Sequence, residues 1–368
     1  HADIHDIRFF GTELWIACDG GIFMSTDGGT SMNKSQVGIE GTDFWGFGAS
    51  PQSDVMLGGA YHNGTLLKDN DTYINDWICT GGGDGVRGFV NFGNDRIAYD
   101  DYEGRILSGD RTQNISGFQF DSLPNASYIF GESSTLEWDP RNNQHIYLGR
   151  GTNLLKTEDN GLTYSIVHAF EDKVMSVELS RADLNYIYVT TYQSWWGDKK
   201  IWKTQDSGLS WTEITPPTAL LNGDLWVPFD IAVSANDENV VWAARTSQYG
   251  STNLNGRMVF KSTDGGSTWG NYTSNSLNGE VITNIEHQKG TAGGVYIGTR
   301  RAVYYRNNSM TEWDLFNNNL PLSSTSTKLV VKYKDGLLRN ATNRSVYEVE
   351  LYENSVPMAQ IAANKFKV

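Results

Sequence analysis

Four copies of an eight-residue pattern constrain the fold of this chain more than any other feature. Each copy reads Ser or Thr, any residue, Asp, any residue, Gly, any residue, Ser or Thr, and then a large side chain. The aspartate accepts hydrogen bonds from nearby backbone N–H groups and the glycine tolerates a positive φ, so each copy predicts a tight turn between two strands. We therefore assign a structural role to the four aspartates, which are Asp27, Asp159, Asp206 and Asp264.

Weaker copies of the pattern fill the gaps between these octets. The first positions of all copies fall at residues 25, 69, 108, 157, 204, 262, 306 and 349, so successive copies are 39 to 58 residues apart. Each interval holds short runs of β-branched and aromatic residues separated by Gly and Asp, as antiparallel strands require. A period of this size is typical of a repeat architecture with eight units. The eighth unit lacks an obvious fourth strand, which residues 349–352, the tail or sequence before His1 could supply.

The octets resemble the Asp-box, or BNR, repeat of sialidases, sortilin-type receptors, two-propeller xyloglucan hydrolases and secreted bacterial BNR-repeat proteins. This resemblance implies an all-β fold, a β-propeller of four-stranded antiparallel blades, and it places the protein outside the cell or at its surface. We predict eight blades over residues 1–355, with seven blades and a closing hairpin as the alternative. Residues 356–368 resemble a linker or the start of a PKD-type immunoglobulin-like module, so we expect this chain to be part of a larger, multidomain bacterial protein.

The overall charge limits the classes of partner. The formal net charge is −14 and charged residues make up 20% of the chain. A nucleic-acid or anionic-membrane partner needs clustered Lys and Arg, so neither is expected. No apolar run approaches the roughly 18 residues of a membrane helix. The expected partners are polysaccharides, other glycans or proteins.

Two cysteines do not define a disulfide framework. Cys18 and Cys79 lie near the ends of predicted strands in neighbouring units. A bridge between them and a pair of buried free thiols are both compatible with this placement, because a bridge requires Cα atoms within roughly 7 Å.

A polar triad stands at the start of the chain. Alternate residues of a strand share one face, so His1, Asp3 and His5 would point the same way, as a metal site or as hydrogen-bonding groups at the channel mouth. Loops around Asp19 and Asp84 could add oxygen ligands for Ca²⁺ or another divalent cation, although Asp-Gly is also a common turn. No other cofactor is expected.

Catalysis by a glycoside hydrolase is the alternative to a binding role. The Arg-Ile-Pro motif that a sialidase needs is absent from the sequence. The resemblance to xyloglucan hydrolases implies two acidic residues facing each other between two propellers. In this chain the candidate acids, which no family motif surrounds, are Asp84, Asp100, Asp101 and Glu103.

Aromatic residues point to a recognition surface instead. Turns between second and third strands lie on the opposite face from the octets, and several are long and rich in Trp, Tyr, Asn and Gln. Such rings suit sugar stacking and protein contacts, and they also pack under their own loops. The candidate ligand-binding residues are Trp45, Tyr192, Trp195, Trp196, Trp226 and Tyr249. We expect a secreted or cell-surface module that binds glycan or protein, with a hydrolase that needs a second propeller as the alternative.

Overall fold

The computed structural model describes most of the chain. It covers residues 3–35, 38, 41–60, 62–69, 77–100, 103–106, 116–119, 133–194, 197–222, 226–246 and 256–354, with backbone alone for 103–106, 116–119 and 133–135. Short strands rich in β-branched and aromatic residues pair antiparallel in chain order and form eight separate sheets.

The first four sheets comprise strands β1 to β16. Sheet 1 contains β1 (Ile4–Phe10), β2 (Glu13–Cys18), β3 (Gly21–Ser25) and β4 (Asn33–Lys34). Sheet 2 contains β5 (Phe44–Ala49), β6 (Met56–Ala60), β7 (Gly64–Lys68) and β8 (Trp77–Gly81). Sheet 3 contains β9 (Phe89–Val90), β10 (Ile97–Tyr99), β11 (Glu103–Ile106) and β12 (Ser116–Gln119). Sheet 4 contains β13 (Ser133–Trp138), β14 (Ile146–Arg150), β15 (Asn153–Thr157) and β16 (Ser165–Ala169).

The last four sheets comprise β17 to β31. Sheet 5 contains β17 (Lys173–Leu179), β18 (Ile187–Tyr192), β19 (Lys199–Thr204) and β20 (Thr212–Glu213). Sheet 6 contains β21 (Phe229–Val233), β22 (Val241–Arg245), β23 (Val259–Ser262) and β24 (Gly270–Asn271). Sheet 7 contains β25 (Ile282–His287), β26 (Val295–Thr299), β27 (Val303–Arg306) and β28 (Asp314–Leu315). Sheet 8 contains β29 (Ser326–Lys332), β30 (Leu337–Thr342) and β31 (Val346–Glu350). A helical turn, α1 (Thr218–Leu221), and a 3₁₀ turn (Asn275–Leu277) lie in the connections after sheets 5 and 6.

The eight antiparallel sheets confirm the predicted all-β propeller class. Each apolar core lies between two neighbouring sheets, as where Trp242 and Val259 of sheet 6 pack with Ile285 and Ile297 of sheet 7. Such cores hold sheets together in sequence, because a sheet buries each of its two faces against a neighbour. Among the described helical segments none is long and apolar enough to cross a bilayer.

Sheet 8 packs on sheet 2. Ala341 and Val330 of sheet 8 share a core with Phe44 and Phe47 of sheet 2. Sheets 2 to 8 therefore close on one another, and with sheet 1 the number of sheets is the eight that the sequence predicts. Within the described ranges no strand of sheet 1 packs extensively on another sheet, and β1 is exposed along its whole length.

Among the described residues the eighth sheet has three strands, and residues 351–354 add no fourth. Residues 349 and 350 belong to the third strand, β31, so they do not supply the missing strand that the sequence left open. Tyr352 instead turns back onto sheet 7, where its ring stacks on Tyr305 with centroids 4.3 Å apart and its backbone N–H donates to the Tyr296 hydroxyl at 2.8 Å. This packing covers the end of sheet 7.

A buried arginine joins the two ends of the ring. Arg339 of sheet 8 is fully buried, and its guanidinium donates to the backbone carbonyls of Ser50 and Ser53 at 3.0 and 3.1 Å. It also pairs with Asp54 at 3.1 Å and with Glu348 at 2.7 Å. Because this one side chain satisfies acceptors on both sheets, the closure depends on it.

We predict that Arg339→Met lowers the free energy of unfolding by about 1.5–3 kcal/mol, the usual value of hydrogen bonds made by a charged group. Arg8→Met is the matched control, because the Arg8 pair with Asp6 is exposed and should contribute less than about 0.5 kcal/mol. Chemical denaturation of both variants measures the difference. Equal midpoints for the two variants would show that the closure does not depend on Arg339.

Candidate functional site

The four octets share one hydrogen-bond arrangement. In the third copy, the Thr204 hydroxyl donates to Asp206 Oδ1 at 2.7 Å and accepts from the Gly208 N–H at 2.9 Å. The Ser210 N–H donates to Asp206 Oδ1 at 2.9 Å, and the Ser210 hydroxyl donates to Oδ2 at 2.6 Å. The other three copies repeat these bonds at Asp27, Asp159 and Asp264. All acceptor sites of the carboxylate are directed into its own turn, which fits a structural role.

These hydrogen bonds set the acidity of the octet carboxyls. The bonds from the Ser210 hydroxyl, the Thr204 hydroxyl and the Ser210 N–H lower the pKa of Asp206 to about 2. The equivalent bonds lower the pKa of Asp27, Asp159 and Asp264 to about 2 as well. Each octet therefore favours the ionised form.

The octets define one face of the protein, which we call the octet face; it carries Asp27, Asp159, Asp206 and Asp264. The opposite face carries the turns between second and third strands and the connections between sheets. We call it the loop face, and its landmarks are Asp19, His62, Asp84 and Tyr192.

The loop face brings a group of histidines and aspartates together where sheets 1 and 2 meet. The Asp19 carboxylate hydrogen-bonds His62 Nδ1 at 2.7 Å through one oxygen and His5 Nε2 through the other. The His62 backbone N–H donates to Asp84 Oδ1 at 3.1 Å. Asp3 joins the group, since one ligand atom from each of Asp3, Asp19 and His62 lies within 4.8 Å of the others.

A glycine seam positions this group. A Cβ atom at Gly46 would lie 2.0 Å from the Val86 carbonyl oxygen, and one at Gly85 would lie 2.3 Å from the Gly64 carbonyl oxygen. Sheet 2 and the chain entering sheet 3 therefore pack backbone against backbone, with no room for a side chain. The Gly64 N–H donates to the Gly83 carbonyl at 2.8 Å, which fixes Asp84 beneath the turn that carries His62.

The hydrogen bonds and charges within this group shift the pKa values of its members. The hydrogen bond to Asp19 is the main cause that raises the pKa of His62, and the charges of Asp84 and Asp3 add to it. Hydrogen bonds from His5 and His62 in turn lower the pKa of Asp19. Carboxylates and imidazoles in this arrangement can hold a proton or a cation between them.

A second polar group lines the central channel, which the first strands of the ring surround. Glu137 on β13 and Glu178 on β17 occupy equivalent positions beside Trp138 and Leu179, and Glu286 on β25 takes the same position. Arg181 pairs with the Glu137 carboxylate. Burial, together with the nearby Glu137 charge, raises the pKa of Glu178 well above its ordinary value. In the sequence, the signal for this group is a carboxylate among the apolar residues of the first strand of a unit.

The candidate acids lie in different places. Asp84 belongs to the group at sheets 1 and 2, and Asp100 is buried, with 4% of its surface exposed. Asp101 lies outside the described residues, and Glu103 is described only as part of the β11 backbone. The structure brings none of the described candidates together as a pair of acids across a cleft.

The candidate metal and ligand residues are described in part. His1, Trp195, Trp196 and Tyr249 lie outside the described residues. Asp3 and His5 join Asp19 and His62, which the sequence triad did not include. Trp45, Tyr192 and Trp226 lie on the loop face, each half-buried. Cys18 and Cys79 are free thiols, so the bridge does not form.

A buried lysine anchors the long turn of sheet 5. The Lys199 ammonium donates to the carbonyls of Ser194 and Gly197, at 2.7 Å each, and lies 5.9 Å from the centre of the Tyr192 ring. Burial lowers the pKa of Lys199 to about 8. Ser194 and Gly197 flank the predicted Trp195–Trp196 pair, so this ammonium fixes both ends of that segment.

Comparison with known proteins supports the fold. No protein-family model matches the sequence, and neither does any curated protein. YCF48 from Cyanidioschyzon merolae is 12% identical with a TM-score of 0.55, over 86% of this chain and 97% of that one. A YCF48 bound to a D1 peptide is 10% identical with a TM-score of 0.55, over 87% and 96%. At this identity the likeness shows a shared β-propeller fold.

Two GH74 enzymes are also similar to this chain. An ancestral GH74 enzyme is 14% identical with a TM-score of 0.46, over 86% of this chain and 36% of that one. The GH74 enzyme of Niastella koreensis is 15% identical with a TM-score of 0.40, over 94% and 51%. The chain therefore spans about a third to a half of the length of these enzymes.

The acidity of the octets predicts how stability depends on pH. A carboxyl whose pKa falls from 3.8 to about 2 on folding stabilises the protein above pH 3.8, and this contribution is lost as the pH falls through 2. We predict that Asp206→Asn melts at a lower temperature than the parent at pH 7, and that the gap narrows towards pH 2. Thermal melts from pH 7 to pH 2 measure it; a gap that stays constant would contradict this role of the ionised carboxylate.

Proposed function

We propose that this chain is the recognition module of a secreted or cell-surface protein of the Asp-box (BNR-repeat) class, and that it binds a glycan or a protein segment on the loop face. The observation that carries the proposal is the placement of Trp45, Tyr192 and Trp226. These residues come from three separate parts of the ring and each is half-buried, and Trp226 also packs against the core between sheets 6 and 7. A ligand that extends across this face could contact more than one of them.

The aromatic side chains are held by polar neighbours. Trp45 Nε1 donates to Asp43 Oδ2 at 3.2 Å, and Tyr192 lies beside the Lys199 ammonium. A ring that is already oriented loses little conformational entropy when a ligand stacks on it. Sugar rings and protein side chains both use such surfaces, which is why the proposal includes both. The YCF48 structure with a bound D1 peptide is an example of a propeller of similar fold with a peptide ligand.

A glycoside hydrolase is the second candidate, and the channel carboxylates favour it. Glycosidases need two carboxyl groups whose environments differ, one kept protonated and one kept ionised. Glu178 has a raised pKa, whereas Glu137 pairs with the Arg181 guanidinium. Glu178 is thus a candidate proton donor near an ion-paired carboxylate, in a place that the sequence candidates Asp84 and Asp100 do not occupy.

We predict that Trp45→Ala weakens binding to the best ligand of a combined glycan and peptide array by about tenfold, because a stacked aromatic ring contributes on the order of 1–2 kcal/mol. Leu209→Ala is the matched control, since Leu209 is 90% exposed on the octet face. Affinities are measured by calorimetry. Equal affinity of the parent and Trp45→Ala, or an equal loss in the control, would contradict binding on the loop face.

The hydrolase candidate predicts a different result. Incubation with a panel of plant and microbial polysaccharides should then release reducing ends, and Glu178→Gln should abolish the release because the amide cannot donate the proton. The recognition proposal predicts no reducing ends from the parent protein. Release by the parent that Glu178→Gln removes would replace recognition with hydrolysis as the function.

A further inference from the structure

The histidines and aspartates between sheets 1 and 2 have the donor types of a metal site. Asp3 precedes β1, Asp19 follows β2, and His62 lies in the turn between β6 and β7. Their ligand atoms lie within 4.8 Å of one another. Two carboxylate oxygens and one imidazole nitrogen from three chain segments thus lie close together. His5 hydrogen-bonds the Asp19 carboxylate, and Asp84 accepts a hydrogen bond from the His62 backbone N–H.

We propose that Asp3, Asp19 and His62 bind a divalent transition-metal ion such as Zn²⁺, which connects sheet 1 to sheet 2. His5 and Asp84 are the outer partners that orient Asp19 and His62. This inference is independent of the proposed recognition function, because it concerns the junction of two sheets and not the aromatic side chains of the loop face.

The distances fit an ion of this size. Zn²⁺ binds nitrogen and oxygen at about 2.0–2.2 Å, so two ligand atoms of a tetrahedral site lie about 3.4 Å apart. His62 Nδ1 and Asp19 Oδ2 are 2.7 Å apart as hydrogen-bond partners. Replacement of the shared proton by the ion therefore requires the two atoms to separate by less than about 1 Å, which side-chain rotation on an exposed surface can supply.

The donor set selects the kind of ion. Ca²⁺ binds six to eight oxygen ligands, and an imidazole nitrogen is a poor substitute for one of them. Imidazole together with carboxylate suits Zn²⁺ and its neighbours in the transition series. The sequence alone suggested Ca²⁺ or another divalent cation at the loops of Asp19 and Asp84, and within that range the donor set with His62 favours Zn²⁺.

The position of the site gives the ion a structural consequence. Within the described ranges sheet 1 does not pack extensively on another sheet, and β1 is exposed. Asp3 and Asp19 belong to sheet 1, whereas His62 belongs to sheet 2. An ion bound by all three would hold sheet 1 in a fixed position relative to the ring, so its removal should release sheet 1 without opening the ring.

The test is equilibrium dialysis and calorimetry of the chelator-treated protein with ZnCl₂ and, in parallel, CaCl₂. We expect one Zn²⁺ per chain and weaker Ca²⁺ binding. Asp19→Asn and His62→Asn should each weaken Zn²⁺ binding by at least about tenfold, the lower end of the effect of even an outer partner. Asparagine is chosen at residue 62 because it tolerates the left-handed backbone there, φ 63°.

Two control substitutions remove a histidine and an aspartate that lie outside the proposed metal site. His145→Ala removes a histidine on the octet face, and Asp6→Asn removes an exposed carboxylate of β1 that pairs with Arg8. Both should retain Zn²⁺ binding. Failure of the parent to bind Zn²⁺, equal binding in Asp19→Asn and His62→Asn, loss in the controls, or a preference for Ca²⁺ would each overturn the proposal.

Limited proteolysis supplies a second readout. Zn²⁺ should slow cleavage within residues 4–34 relative to chelator-treated protein and leave cleavage in sheets 5 to 7 unchanged. If Asp19→Asn fails to fold, His62→Asn decides, because 43% of the His62 side chain is exposed and its removal should not disturb the ring. Protection of residues 4–34 by Zn²⁺ in His62→Asn as strong as in the parent would also count against the site.

Discussion

The need of each sheet to bury two apolar faces controls this structure. A sheet inside the ring has a neighbour on both sides, and the ring closes where its two end sheets pack on each other. Sheets 2 and 8 do so through the core around Phe47 and Ala341 and through the Arg339 guanidinium. Sheet 1 has no comparable contact within the described residues, which leaves β1 exposed. The packing of sheet 2 on sheet 8 therefore closes the ring and also leaves sheet 1 outside it.

The octet face is held by one repeated hydrogen-bond arrangement, whereas the loop face is the one that we propose for recognition. In an octet the aspartate, both hydroxyl residues and the glycine satisfy one another within eight residues, so the turn has little freedom to change. The described turns of the loop face are held in different ways. The Lys199 ammonium fixes one of them from below, and the glycine seam of Gly46 and Gly85 fixes another. A surface that varies from sheet to sheet is suited to a specific ligand.

The sequence predicts what is decided locally. The octet turns and the number of sheets follow from residues close in the chain, and the structure agrees with both. The fourth strand expected for the eighth sheet is not among its three described strands. Contacts between distant segments were not predictable in the same way. Asp19 and His62 are 43 residues apart, and their hydrogen bond depends on the register of two sheets. Glu178 was missed because a carboxylate in an antiparallel strand equally fits a solvent-facing position.

The polar group in the channel and the polar group between sheets 1 and 2 differ in how their charges are compensated. In the channel, carboxylates and cations are interleaved, and the charged residues are Glu137, Glu178, Asp230, Glu286, Arg181, Lys289 and Lys328. The cations do not neutralise every carboxylate of the channel, and the raised pKa of Glu178 favours its protonated, neutral form. The group between sheets 1 and 2 brings the carboxylates of Asp3, Asp19 and Asp84 together with the imidazoles of His5 and His62. Carboxylate and imidazole are ligand types that suit a divalent transition metal, whereas in the channel Glu137 pairs with the Arg181 guanidinium.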